Sequence, residues 1–210
     1  MSGSPVPIWT RLSGTALWRA AEHAHTLPAG RHYHNMEHVR RLYFHAGITF
    51  AMPWCPDLDK AILTHDVIND GRPLAEQRSV EWLTAEDALT PASERLILTT
   101  QSHLPCEDNR LILLDLADFM FPRVSQRNTA LLAREAADLR GASEAAFARG
   151  TITYLECLAG RIATGMPSVT DPDEDRAFSR ICLGIETVIE ALQQTLEDAR
   201  PTGNDERPEQ

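Results

Sequence analysis

Residues 31–47 read Arg31-His-Tyr-His-Asn-Met-Glu-His-Val-Arg-Arg-Leu-Tyr-Phe-His-Ala-Gly47, and their spacing decides what kind of chain this is. Asn35 is a good helix N-cap, because its side-chain oxygen accepts an otherwise unpaired N–H of the first turn. Val39, Leu42, Tyr43 and Ala46 follow at intervals of three and four, which is one apolar face of a helix, and Gly47 marks its end. The same segment places His32, His34 and His38 at the mouth of that helix.

The helical reading extends in both directions. Upstream, Ile8, Leu12, Leu17, Ala20 and Ala21 predict a helix over Ile8 to Ala24, with Trp9 and Trp18 widening its stripe, until Pro28, Ala29 and Gly30 break it. Downstream, Pro53 and Pro56 bound a loop, and Asp57 opens a helix through Leu58, Ala61, Ile62 and Leu63 that ends at His65-Asp66. Asn69, Asp70, Gly71 and Pro73 make a turn-rich loop. Further helices are expected over Ala75 to Leu83, through Leu96–Leu98 after Pro91, over Leu111 to Phe119, over Asn128 to Arg140, over Ser143 to Ile162 and over Asp173 to Leu196. No long stretch alternates with period two and no internal repeat is present. The expectation is an all-α chain, one helical bundle over residues 1–198, with a disordered polar tail over 199–210.

Composition narrows the partners. At 210 residues and 43% apolar the chain can bury a core of its own, and its net charge of −10 repels long nucleic acid and anionic membranes. Lys60 is the only lysine, so a phosphate would be gripped by arginine forks. Cys55, Cys106, Cys157 and Cys182 stand far apart and read as four reduced thiols. Met1 to Ile8 has no signal-peptide pattern, and no apolar run approaches the ~20 residues that span a bilayer. A soluble, cytoplasmic protein is expected.

Three places carry residues suited to chemistry. His38 lies in the opening segment, and His65-Asp66 closes an otherwise apolar helix. Asp115 and Asp118 sit in the apolar run Leu111–Phe119, three apart and hence on one helix face. A single histidine on a helix is usually an ordinary core or surface residue. An aspartate among leucines is harder to dismiss, because an ionised carboxylate there costs several kcal/mol unless it is paired or bound to metal. Together these residues form a mixed nitrogen and oxygen donor set, which suits manganese, iron, cobalt, nickel or zinc better than calcium. No phosphate-cradling GxxxxGK loop and no GxSxG elbow is present.

The order His38, His65-Asp66, Asp resembles the HD superfamily of metal-dependent phosphohydrolases. The bacterial branch described as predicted metal-dependent HD phosphohydrolases is similar in more detail. Its Arg-x-Tyr-His-Asn-x-x-His start reads here Arg31, Tyr33, His34, Asn35 and His38; its His-Asp with a further Asp reads His65-Asp66 and Asp70. Ala75-Glu76-Gln-Arg-Ser79-Val80 and Thr100-Gln-Ser-His103 match two weaker pieces, and the likeness runs over roughly residues 8–197. The chain departs from the branch at Ile68, where an aromatic is usual, in the spacing of Asp115-Leu-Ala-Asp118, and at Arg134-Glu135, where a following tyrosine is missing.

The resemblance implies one divalent ion held by His38, His65, Asp66 and Asp118, with Asp115 as the second choice for the fourth ligand. Manganese, cobalt, nickel, iron or zinc is the expected metal, with magnesium admitted. It implies hydrolysis of a small phosphate ester, a nucleotide first of all, by metal-activated water. Glu76 and Asp70 are the candidates to orient or deprotonate that water. Arg31, seconded by Arg78, would hold the phosphate, and His34 and His103 would donate hydrogen bonds or take a second ion. Arg134 and Glu135 read as a structural ion pair, and Glu76 with Arg78 equally as a solvated helix start. Two alternatives stay open: a di-iron oxygenase, and a non-catalytic HD domain that binds a ligand.

Overall fold

The computed structural model describes residues 9–199, and these build nine α-helices and no strand. The helices are α1 (Ala16–Ala24), α2 (Met36–Phe44), α3 (Pro56–Thr64), α4 (Ala75–Ala85), α5 (Pro91–Thr99), α6 (Arg110–Leu116), α7 (Pro122–Arg140), α8 (Glu144–Gly165) and α9 (Pro172–Asp198). The fold is all-α, as the spacing of apolar residues predicts. Among the described residues no helix is long and apolar enough to cross a membrane. Except for Ala199, the tail expected to be disordered lies outside the described residues.

Asn35 caps α2 as expected, accepting from the Glu37 backbone N–H at 2.8 Å. The predicted helix then continues past Phe44 as a π-helical turn, His45–Thr49. The first helix is shorter than its periodicity implies. It starts only at Ala16, capped by Thr15, after Gly14 takes a left-handed φ of 76°. Residues 9–12 instead form a strap. Thr10 Oγ1 and the Arg11 N–H donate to the buried Asp59 carboxylate at 2.6 and 2.9 Å, and Trp9 Nε1 donates to the Met52 carbonyl. Burial of Trp9 and Leu12 against the core produced a stripe that only looked helical.

Two hydrophobic cores lie on either side of α6. Leu111 and Leu114 join a cluster built from α1 to α5, including Val39, Leu42, Tyr43, Ile62 and Ile97. Ile112, Leu113 and Leu116 join a second cluster with Leu155, Leu158, Phe178, Ile181 and Ile185 of α8 and α9. A helix covered on both sides must be apolar nearly all round, which is the pattern of Leu111–Leu116. Asp115 is left at the seam between the cores. After Leu116 the chain tightens into a 3₁₀ turn, Ala117–Met120, which packs against α9.

A candidate metal centre

The site is assembled from three helices. His38 comes from the first turn of α2, His65 and Asp66 from the end of α3, and Asp115 from α6. One donor atom from each of these four residues lies within 4.8 Å of all the others. His38 Nε2 stands 3.3 Å from His65 Nε2, 3.5 Å from Asp66 Oδ2 and 3.2 Å from Asp115 Oδ1. His65 Nε2 stands 3.2 Å from Asp66 Oδ2 and 3.6 Å from Asp115 Oδ1. Donors held at the roughly 2.1 Å bond length of a transition metal, at right or tetrahedral angles, lie about 3.0–3.4 Å apart. The donor set therefore fits a single metal ion in both chemistry and spacing.

The surroundings fix the orientation of each donor. His65 Nδ1 donates to the Ile62 carbonyl at 3.1 Å, which turns Nε2 toward the cluster. His103 Nε2 pairs with the second oxygen of Asp115 at 2.8 Å. His103 reaches it from a left-handed backbone, φ 51°, a conformation costly for a side chain with a Cβ and characteristic of functional sites. The end of α3 is held from below. His25 Nε2 donates to the Leu63 carbonyl, and Arg31 donates to the carbonyls of Leu27, Val67 and Asp66. Burial, seconded by the Arg31 charge, pushes the His25 pKa down to about 3. Neutral His25 thus donates at Nε2 and accepts from Arg31 at Nδ1.

Arg31, which the resemblance implies as the phosphate grip, is engaged by backbone carbonyls. Its guanidinium is buried and committed to the carbonyls at which α3 ends, which places the His65-Asp66 backbone. Arg31→Met keeps the length of the side chain and removes those donors. Metal titration is expected to show a Kd about 10- to 100-fold weaker, the usual penalty for losing an orienting partner. Unchanged metal affinity with a raised KM for a phosphate ester would return Arg31 to the phosphate.

Burial lowers the pKa of His38, keeping its imidazole neutral and ready to bind a cation. His65 is pushed well up: burial opposes its charge, but Asp66 and Asp115 outweigh that. Asp66 and Asp115 are both driven down. Burial opposes this too; His65 and His34 hold Asp66 ionised, and hydrogen bonds from His103, His38 and His65 hold Asp115. Two carboxylates kept ionised beside two imidazoles make a site that attracts a divalent cation.

The other expected residues are distributed differently. Asp118, preferred on pattern as the fourth ligand, is outside the cluster. Asp115 and Asp118 do share a face, toward α2, but the three-residue step from one to the other carries Asp118 about 5 Å further along. There it pairs with Arg41 Nε at 2.9 Å, His45 Nε2 at 2.8 Å and Asn128 Nδ2 at 2.7 Å. Asp70 is tied by both Arg78 amino groups at 2.8 Å and by Arg72 Nε at 2.7 Å. Those bonds hold its carboxyl well below the usual range, and they occupy Arg78 as well. Glu76 lies in the first turn of α4 and faces the cavity described below.

Glu135 is not paired with Arg134. It is buried on α7, accepts from the backbone N–H groups of Tyr33 and His34, and takes a short hydrogen bond from His34 Nδ1. Burial opposes its ionisation, yet the His34 hydrogen bond brings its pKa down to about 2. His34 Nε2 then lies 4.0 Å from Asp66 Oδ2. Sequence reading missed the His34–Glu135 pair, along with the His45 and Asn128 support of Asp118. The one available signal was a glutamate at a buried position of an alanine-rich helix.

A cavity of about 660 Å³ opens onto the cluster. Asp66, Asp115, His34, His103 and Glu76 line it, and His38 and His65 are buried. Comparison of the chain with protein-family models, curated proteins and solved structures yields no match in any of the three. Function therefore has to be read from the site itself.

Proposed function

We propose that the protein is a metal-dependent phosphohydrolase of the HD type that cleaves a small phosphate ester. The observation that carries this reading is the convergence of His38, His65, Asp66 and Asp115 beside an open cavity. The ordered motif Tyr33-His34-Asn35…His38…His65-Asp66, with its likeness to the HD superfamily, supports it. A divalent transition metal held by these four residues supplies, when bound, a Lewis acid that activates water for attack at phosphorus.

The chain contributes proton handling and positioning. Glu135 accepts from His34 Nδ1 and turns Nε2 of His34 toward Asp66, 4.0 Å away, from where its proton is delivered to the leaving oxygen. The two carboxylates and the short His34–Glu135 bond give that imidazole its orientation, as a third group orients the base in other hydrolytic sites. Glu76, on the cavity wall, orients water. The cation left facing the cavity to hold anionic charge is Arg140, at the end of α7.

Elemental analysis of the purified chain is expected to give about one transition metal per chain. Phosphate release from small esters is expected to vanish after chelation and return on adding manganese, cobalt or nickel. Acidification is expected to strip the metal, because only neutral imidazole binds it. Undiminished phosphate release after exhaustive chelation would sink the reading.

A further inference from the structure

The cavity is not uniformly polar. Leu116, Leu155, Leu158 and Val188 belong to the second hydrophobic core, and all four also line the cavity. Leu132, Phe119 and Phe147 continue the same apolar wall. The floor of the cavity thus borders the second core, and an apolar group laid against it leaves water.

The charges point the same way. Asp66, Glu76, Asp115 and Glu135 face the cavity, against Arg140 as its single guanidinium, and no lysine lines it. A chain of several phosphates needs several cationic or amide donors, and here it would meet carboxylates instead. One phosphate is enough for one metal and one arginine.

We infer that the alcohol carried by the phosphate is apolar: the preferred ligand is a monophosphate ester of an aliphatic or aromatic alcohol, with its organic group seated against Leu116, Phe119, Leu132, Phe147 and Leu155. This rests on the phosphohydrolase reading for the phosphate but not for the apolar group. Gly150 on α8 offers a way to test it. It lines the cavity, and a Cβ added there meets no atom within 4 Å. Gly150→Leu adds an apolar side chain on the cavity wall, its Cβ free of clashes, and exchanges a weak helix former for a strong one.

The test is calorimetric binding of unreactive methyl-, butyl- and hexylphosphonate to the metal-loaded full chain. Kd is expected to fall about fourfold per added methylene, the factor that burial of one CH₂ group gives. In Gly150→Leu, with unchanged metal content and an unreduced melting temperature, that dependence is expected to flatten. A Kd independent of chain length overturns the inference. So does a slope that survives Gly150→Leu, or tighter binding of a ribose phosphonate than of hexylphosphonate. If hexyl phosphate is never hydrolysed while the phosphonate slope stands, the hydrolase reading falls and the apolar chamber remains.

Discussion

Asp115→Ala is expected to yield a folded protein with no bound metal and no phosphate release, whereas Asp118→Ala keeps its metal and loses stability. The two aspartates lie three residues apart and both face α2, yet they do different work. Asp115 presents Oδ1 to His38 and His65 and its other oxygen to His103. Its removal takes away a quarter of the donor set. The helices that carry the site are held by the two apolar cores, so helicity should hold. Asp118 instead satisfies Arg41, His45 and Asn128 from a buried position. Truncating one partner of such a network costs about 3 kcal/mol, because the remaining polar groups stay buried and unpaired. In a chain of this length that lowers the melting temperature by about 10 °C.

The pH dependence separates them further. Burial opposes ionisation of Asp118, but the His45 hydrogen bond and the Arg41 charge bring its pKa down to about 2. A carboxyl depressed in the folded state adds stability above its unfolded pKa, near 4, and loses it as the pH falls toward 2. Acid denaturation of the unmodified chain should contain that contribution, and Asp118→Ala should lack it. Elemental analysis and melting curves of both variants decide the matter. A metal-free Asp118→Ala beside a metal-loaded Asp115→Ala would reverse the assignment.

The features legible in the sequence were those whose cause is local. Asn35 caps α2 because an Asx cap needs only the next few residues, and His65-Asp66 closes α3 because the apolar run ends there. Both positions could be named from spacing alone. The choice between Asp115 and Asp118 could not, because it depends on how far α6 slides along α2, a matter of packing. The placement of Arg31 is illegible for a different reason. A guanidinium that grips phosphate and one that caps a helix use the same donors, and the sequence does not show which acceptors are near. Glu135 reaches His34 across some hundred residues of chain, so its neighbour Arg134 was the only partner in view. The apolar chamber was invisible because its lining leucines have the spacing of ordinary core residues.

Among the glycines of the described residues, Gly184→Ala is expected to be the most damaging added methyl. Gly184 is buried in α9 where that helix crosses the 3₁₀ turn, and an added Cβ would stand 1.8 Å from the Phe119 carbonyl oxygen and 2.6 Å from its carbon. A side chain in that place could rotate away, but a backbone carbonyl moves only with its whole segment. Relief therefore means separating α9 from residues 117–120, which costs about 3 kcal/mol or more. The displaced turn is continuous with α6, so the shift also pulls Asp118 from His45 and moves Asp115 against the histidines. Weakened metal binding should accompany the lowered melting temperature, although Gly184 touches none of the four ligands. Gly160→Ala is the control: its Cβ meets nothing within 4 Å, and removing an exposed glycine from the interior of α8 should raise stability by about 1 kcal/mol. Equal melting temperatures for the two variants would mean that α9 does not set the height of the turn, and that the register of α6 is held by its two cores alone.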